Sequence, residues 1–162
     1  MIPVIKMASK TNAVRLVQQA GFPCRELFYE YDEQDLNGNH AAHALGLPPE
    51  QVFKTLVTRG AKNGIQVFCI PVCCELDLKK AAKVSGEKSV EMIPVKELLQ
   101  TTGYIRGGCS PIGMKKKYPT FLDETCILYA EIAVSAGERG HQMLIPHEAI
   151  CTLVNAALAD LT

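Results

Sequence analysis

Apolar residues recur along this chain in two rhythms, one of three to four residues and one of two. In "KTNAVRLVQQAG", Ala13, Leu16, Val17 and Ala20 share one side of a helix, with Thr11 or Asn12 placed to cap it and Gly21 to stop it. "CRELFYEYD" is rich in strand formers and reads as a strand ending near Asp32. "GNHAAHALGLPPE" predicts a short helix stopped by Gly46 and Pro48. The clearest hairpin is "QVFKTLVTRGAKNGIQVFCIPV", two β-branched runs around the glycine-rich turn "RGAKNG". Further on, "DLKKAAKVSG" is helical from Asp77 to Gly86, "SVEMI" is a short strand, and "VKELLQTTG" is a helix closed by Gly103. "PTFLDE" and "CILYAEIAVSAG" read as strands, and "ERGHQ" as the turn into the strand "MLIP". In the closing "HEAICTLVNAALADL", Ile150, Leu153, Val154, Ala157, Leu158 and Leu161 keep helical spacing and predict one last helix.

Hairpins and short helices are mixed here without regular βαβ alternation. That predicts an α+β fold, with a mixed, mostly antiparallel sheet or barrel surrounded by short helices. The 162 residues contain no repeat or linker, and at 48% hydrophobic they suffice for one core, so residues 1–162 read as a single domain. Lys+Arg and Asp+Glu both count 17, which excludes an overall electrostatic grip on nucleic acid and leaves only a local basic patch to provide one. No apolar run approaches the roughly 18 residues that span a bilayer. The opening "MIPVIKMASKTN" lacks the apolar stretch of a secretory leader, so the cytoplasm is the expected compartment.

Candidate chemistry concentrates in "TGYIRGGCSPIGMKKKYP". The corner Gly107-Gly108-Cys109-Ser110-Pro111 allows close approach of backbone amides to a ligand and an anion-binding nest; the alternative is an ordinary loop. Lys115, Lys116 and Lys117 follow, either as contacts to the phosphates of a nucleic-acid strand or as a solvated run. The spacing is neither a Walker A motif nor a dinucleotide-binding loop. Lys54 stands inside "VFKTLV", where alternation puts it on one face with Val52 and Leu56. It either projects into a pocket or blunts an edge strand, and alternation alone does not say which face is covered. The seven cysteines include no C-x-x-C pair, and no histidine stands at finger-like spacing, so buried reduced thiols are expected rather than zinc. Cys109 is the thiol expected to be exposed. His40 and His43 lack a third ligand, and Ser110 has neither a G-x-S-x-G elbow nor an evident base. Neither a metal nor a cofactor is expected, and a Ser-His-Asp hydrolase is not predicted.

With these residues in place, the chain resembles the YbaK/EbsC family of aminoacyl-tRNA deacylases, itself similar to the editing domain of bacterial prolyl-tRNA synthetases. The resemblance is carried by "LGLPPEQVFKTLV", "ELDLKKAAKVSGEKSVEM", "TGYIRGGCSPIGMKKKYPTFLDE" and "VSAGERG", in family order over nearly the whole chain. It implies that Lys54 contacts the 3′-terminal adenosine region of a tRNA. By the same match Tyr29, Ser110, Pro111 and Ser135 line the substrate pocket, and Gly107 and Gly108 bring backbone amides to the aminoacyl ester as an oxyanion site. Lys115, Lys116 and Lys117 would then hold tRNA. The implied reaction clears mischarged Cys-tRNA(Pro), or Cys-tRNA(Cys), with the cysteinyl thiol attacking its own ester. The alternatives are editing of Ala-tRNA(Pro) and a non-catalytic module that binds tRNA or a synthetase. The implied partners are the 3′ end of an aminoacyl-tRNA and prolyl-tRNA synthetase. Gln142 stands where some members carry an acidic residue.

Overall fold

Two sheets organise the computed structural model, which describes residues 10–162. The segment read above as lacking a leader peptide is mostly outside these residues. In chain order the strands are β1 (Arg25–Phe28), β2 (Phe53–Gly60), β3 (Gly64–Pro71), β4 (Val90–Met92), β5 (Thr120–Asp123), β6 (Ile132–Glu138), β7 (His141–Ile145) and β8 (Ala157–Ala159). A three-stranded antiparallel sheet runs β1-β7-β6. A five-stranded sheet runs β4-β2-β3-β5-β8, antiparallel across β4, β2 and β3 and parallel from β3 to β8. Among the described residues, five helices flank them: α1 (Asn12–Gln19), α2 (Gly38–Leu45), α3 (Leu78–Ser85), α4 (Val95–Thr102) and α5 (His147–Val154). The fold is the expected α+β arrangement with a mixed, mostly antiparallel sheet system.

Local signals account for most of these elements. Thr11 caps α1 by accepting the Val14 amide at 3.3 Å, and Asp77 caps α3 by accepting the Lys79 and Lys80 amides at 3.0 Å. The α2, α3 and α4 helices each end on a left-handed glycine, as their sequences predict. The core has two main parts. On one face of the small sheet, Ile132, Val134, Met143 and Ile145 pack with Val14 and Val17 of α1 and Ile150 of α5. Phe68 and Ile70 of β3 pack with Ala81, Ala82 and Leu161. Phe68 is fully buried and stacks on Phe121 at 5.2 Å, so truncating it to alanine costs about 3–5 kcal/mol.

Three predicted elements differ. The strand expected to reach Asp32 stops at Phe28; the chain then turns, with the Asp32 carboxylate accepting the Gln34 amide at 2.9 Å. "CILY" belongs to a 3-10 turn over Glu124–Leu128, because Asp123 accepts the Thr125 amide and hydroxyl and starts a helical turn there. The final helix ends at Val154, where Asn155 adopts φ 53°, and Ala157–Ala159 instead join β5 as a parallel strand. Asp123 helps fix this outcome, since its other carboxylate oxygen accepts the Leu161 amide at 2.9 Å. Among the described residues no helix is long and apolar enough to cross a membrane.

Candidate functional site

Among the described residues, the two sheets meet at a parallel bridge between Val52 and Ala133. Val52 and Ala133 pack there with Leu144, Val72 and Ala42. Side chains alternate along a strand, so Lys54 lies on the Val52 face and Ser135 on the Ala133 face, each two residues past the bridge. Gln142 is paired with Ser135 in the β6–β7 ladder and with Leu27 in the β1–β7 ladder, which puts it on that same face. Tyr29 follows Leu27 by two residues, and its amide donates to the Gly140 carbonyl at 3.0 Å. Tertiary structure thus brings Lys54, Ser135, Gln142 and Tyr29 to the place where the sheets part.

Lys54 is half-buried and pairs with no carboxylate among the described residues. Its electrostatic neighbour is the Cys74 thiol. The Ser135 hydroxyl accepts the Gly137 amide at 3.1 Å, which leaves its own proton to donate. Burial pushes the Tyr29 phenol up, against hydrogen bonds from the Gly140 backbone and the Gln142 side chain that favour the phenolate. Gln142 is 7% exposed, and its Oε1 is buried without a hydrogen-bond partner among the described residues. An orphaned acceptor of this kind costs about 1–3 kcal/mol, which marks a place where a ligand can supply the donor.

The glycine corner sits on the tip of the β6–β7 hairpin. A β-carbon at Gly108 would lie 2.9 Å from the Glu138 carbonyl carbon, and one at Gly107 would lie 3.1 Å from Leu36 Cδ2. The Gly108 amide donates to the Ile105 carbonyl at 3.0 Å. This corrects the expectation that both glycine amides face the ester: Gly108 contributes the absence of a side chain, and its N–H belongs to the turn. The Gly107 amide has no acceptor among the described residues. Ser110 is fully buried, and its hydroxyl accepts the Ile112 amide at 3.2 Å, so it shapes the loop beside the buried Pro111. Cys109 is also corrected. It is buried against Val57 and Ile93, because the corner folds inward over β2.

A family model described as "Aminoacyl-tRNA editing domain" matches residues 39–153. The chain belongs to the aminoacyl-tRNA editing domain family. A relative from Enterococcus faecalis, "Putative Cys-tRNA(Pro)/Cys-tRNA(Cys) deacylase EbsC", is 50% identical over 157 residues, 97% of this chain and 96% of its own length. The crystal structure of a "putative trans-editing enzyme for prolyl tRNA synthetase" is 28% identical, with a TM-score of 0.77 over 95% of this chain and 99% of the other. The crystal structure of a hypothetical protein aligns with a TM-score of 0.81 over 91% of this chain and 96% of its own, at 19% identity, a likeness of fold.

Several features of this editing domain escaped the sequence reading. His141 is 3% exposed. Its Nδ1 lies 2.9 Å from Glu138 and its Nε2 3.0 Å from Glu26, while Phe28 stacks on the ring at 4.3 Å. With both ring nitrogens engaged, His141 ties β1 to the hairpin and is not placed as a general base. Arg139, at the hairpin tip, donates from Nε to the Arg106 carbonyl at 2.9 Å. Nothing local in the sequence signals the Glu26 or the Arg106 contact, since those partners are 115 and 33 residues away.

Lys115, Lys116 and Lys117 are exposed and have no acidic partner among the described residues. The Lys115 amide donates to Thr102, which joins the run to the end of α4. Burial pushes the Cys69 and Cys109 thiols up to about 12, so neither is set up as a nucleophile. No group of three or more His, Cys, Asp or Glu side chains is placed to hold a metal among the described residues. Two shallow surface depressions lie elsewhere, one lined by Arg59, Gly60 and Glu91 and the other by Leu78, Lys83 and Glu87. Neither includes Lys54 or Gly107. Glu87 there accepts the Lys62 and Asn63 amides and the Gln66 side chain, so it closes the β2–β3 hairpin.

Proposed function

We propose that this chain is a trans-editing deacylase that clears cysteine from mischarged tRNA, with Cys-tRNA(Pro) as the first substrate and Cys-tRNA(Cys) as a second. The aminoacyl ester is already activated, so cleavage chiefly requires positioning and a donor for the developing oxyanion. The observation that carries this reading is the Gly107 amide, without an acceptor among the described residues, on a corner where side chains are excluded.

In this reading the substrate's own thiol is the nucleophile. Its sulfur forms a bond to the ester carbonyl carbon, the carbon–oxygen bond to the ribose breaks, and the thiol proton ends on the ribose oxygen. The products are a cysteine thiolactone and the free tRNA. The burial of the protein's Cys69 and Cys109 and the engaged hydroxyl of Ser110 are consistent with this route. Lys54 would hold the phosphate or ribose of the terminal adenosine, and an ammonium with no carboxylate partner among the described residues suits that role. Ser135 and Tyr29 would wall the pocket, with Ser110 and Pro111 supporting it from beneath. The orphaned Gln142 Oε1 offers an acceptor to the substrate's α-ammonium group. Lys115, Lys116 and Lys117 would meet tRNA phosphates outside.

A protein with no net charge grips tRNA weakly, so prolyl-tRNA synthetase is the proposed partner that presents tRNA(Pro), in the cytoplasm. The test is release of label from Cys-, Ala- and Pro-tRNA(Pro) by the wild-type protein and by Lys54→Ala. Rapid, Lys54-dependent loss of cysteine alone supports the reading. Loss of alanine moves it to another mischarged tRNA, and no loss from any substrate reduces the chain to a binding module.

A further inference from the structure

The glycine corner contains a β-turn of a kind whose central peptide can take either of two orientations. Ile105, Arg106, Gly107 and Gly108 form it, closed by the 3.0 Å bond from the Gly108 amide to the Ile105 carbonyl. Gly107, the third residue, has φ +86°, which is the signature of type II. Type I turns close with the same bond. The two types differ by a flip of the middle peptide, here the one joining Arg106 and Gly107. Glycine at the third position accepts both forms with little steric cost, so the local sequence does not choose between them.

A contact from the neighbouring hairpin makes the choice. Arg139 donates from Nε to the Arg106 carbonyl at 2.9 Å, and that carbonyl belongs to the peptide in question. In a trans peptide the C=O and N–H point in opposite directions. Holding the Arg106 oxygen toward Arg139 therefore turns the Gly107 N–H away from it, and this N–H has no acceptor among the described residues. The side chain is itself restrained. Its Cγ and Nε lie 3.4 Å from where a Gly107 β-carbon would be, and its Nη1 lies 3.9 Å from Glu33 Oε1. A flipped peptide would present the Arg106 carbonyl in place of the Gly107 amide, an acceptor where a developing oxyanion needs a donor.

We infer that Arg139 is a positioning residue for deacylation: it locks the Ile105–Gly108 turn in the type II form and so aims the Gly107 amide at the substrate. This inference rests on the function proposed above. The experiment compares the full-length wild type with Arg139→Met and Arg139→Lys in two measurements. One is single-turnover and steady-state deacylation of Cys-tRNA(Pro). The other is the nuclear Overhauser contact between the Arg106 α-proton and the Gly107 amide proton, which is strong only in a type II turn. Arg139→Met should lower kcat by about 10- to 100-fold, less than the ~10²–10³-fold typical of deleting an oxyanion donor. KM and the salt dependence of tRNA binding should hold, and the Overhauser signal should weaken. Arg139→Lys, or guanidinium added to Arg139→Met, should restore part of both signals.

An unchanged Overhauser signal in Arg139→Met overturns the inference whatever happens to the rate, and so does a weakened signal with full kcat. A rise in KM alone with a flatter salt slope also overturns it, by making Arg139 a phosphate ligand. If the wild type cleaves no aminoacyl-tRNA, the functional reading fails by itself, and the proton measurement still decides the turn.

Discussion

Gly108 lies against the backbone of Arg139: a β-carbon at this glycine would stand 3.0 Å from the Arg139 amide nitrogen and 3.0 Å from Glu138 Cα. The neighbours are main-chain atoms of a hairpin, not the ends of flexible side chains. Gly108→Ala should therefore push the corner off the hairpin, destabilising the fold by about 1–3 kcal/mol and impairing deacylation. Urea unfolding beside a turnover assay checks both, and a stable, fully active alanine variant would show that the corner tolerates displacement. A β-branched residue at Gly107 should block the ester site as well, since it meets Leu36 and requires a positive φ.

Lys54 stands on the Val52 face beside the sheet junction, without a carboxylate partner among the described residues. Lys54→Met keeps the stem and removes the charge. Deacylation should fall on the order of 100-fold, as for loss of a group that positions the reacting ester, while stability shifts by less than about 1 kcal/mol. Full activity in this variant would remove Lys54 from the site.

The three exposed lysines should act through counterion release. Changing Lys115, Lys116 and Lys117 together to Gln should weaken tRNA binding and reduce the slope of log K against log salt by up to about 2.7, or 0.9 for each phosphate no longer neutralised. Titrations between low and moderate salt measure it, and an unaltered slope would make the run a solvated loop.

Gln142→Met fills the same space without the orphaned oxygen. Stability should change by less than about 1 kcal/mol, because removal of a buried unsatisfied acceptor offsets loss of the side chain's hydrogen bond to the Tyr29 phenol. The KM for Cys-tRNA(Pro) should rise if the amide oxygen receives the substrate's ammonium group. An unchanged KM would take Gln142 out of substrate recognition.

The thiols predict an alkaline limit to stability. Burial raises Cys69 and Cys109 from 9.0 to about 12, so the folded protein keeps protons that the unfolded chain releases. Above pH 9 the unfolded state binds fewer protons, and stability falls as pH rises toward 12; below about pH 8 these groups contribute nothing. The slope is at most about 1.4 kcal/mol per pH unit for each thiol. Urea unfolding in reductant at pH 8 and pH 10 reads it, and Cys69→Ala should flatten the fall. Exposed Cys73 should be alkylated well before either buried thiol.

Local order was legible wherever the information was itself local. The caps at Thr11 and Asp77, the glycine stops of α2, α3 and α4, and the turn of the β2–β3 hairpin all lie within a few residues of the elements they define. Cys126–Leu128 departs from its strand-forming composition because a local cap at Asp123 starts a helical turn there, and Ala157–Ala159 departs from its helical spacing because distant partners decide it. Asp123 starts the 3-10 turn and holds Leu161, and β5 recruits an alanine-rich segment whose helical spacing has little burial to reward it. The site divides in the same way. Alternation grouped Lys54 with Val52 and Leu56, but only the Val52–Ala133 bridge set that face beside Ser135 and Gln142.

Short motifs and periodicity were enough to assign the family and the class of fold, because both are written in runs of neighbouring residues. Folding settled which thiols are shielded, which amide of the glycine corner lacks an acceptor among the described residues, and which arginine donates to the Arg106 carbonyl. Those properties depend on hydrogen bonds and packing between segments far apart in the chain, and no spacing rule along the backbone encodes them.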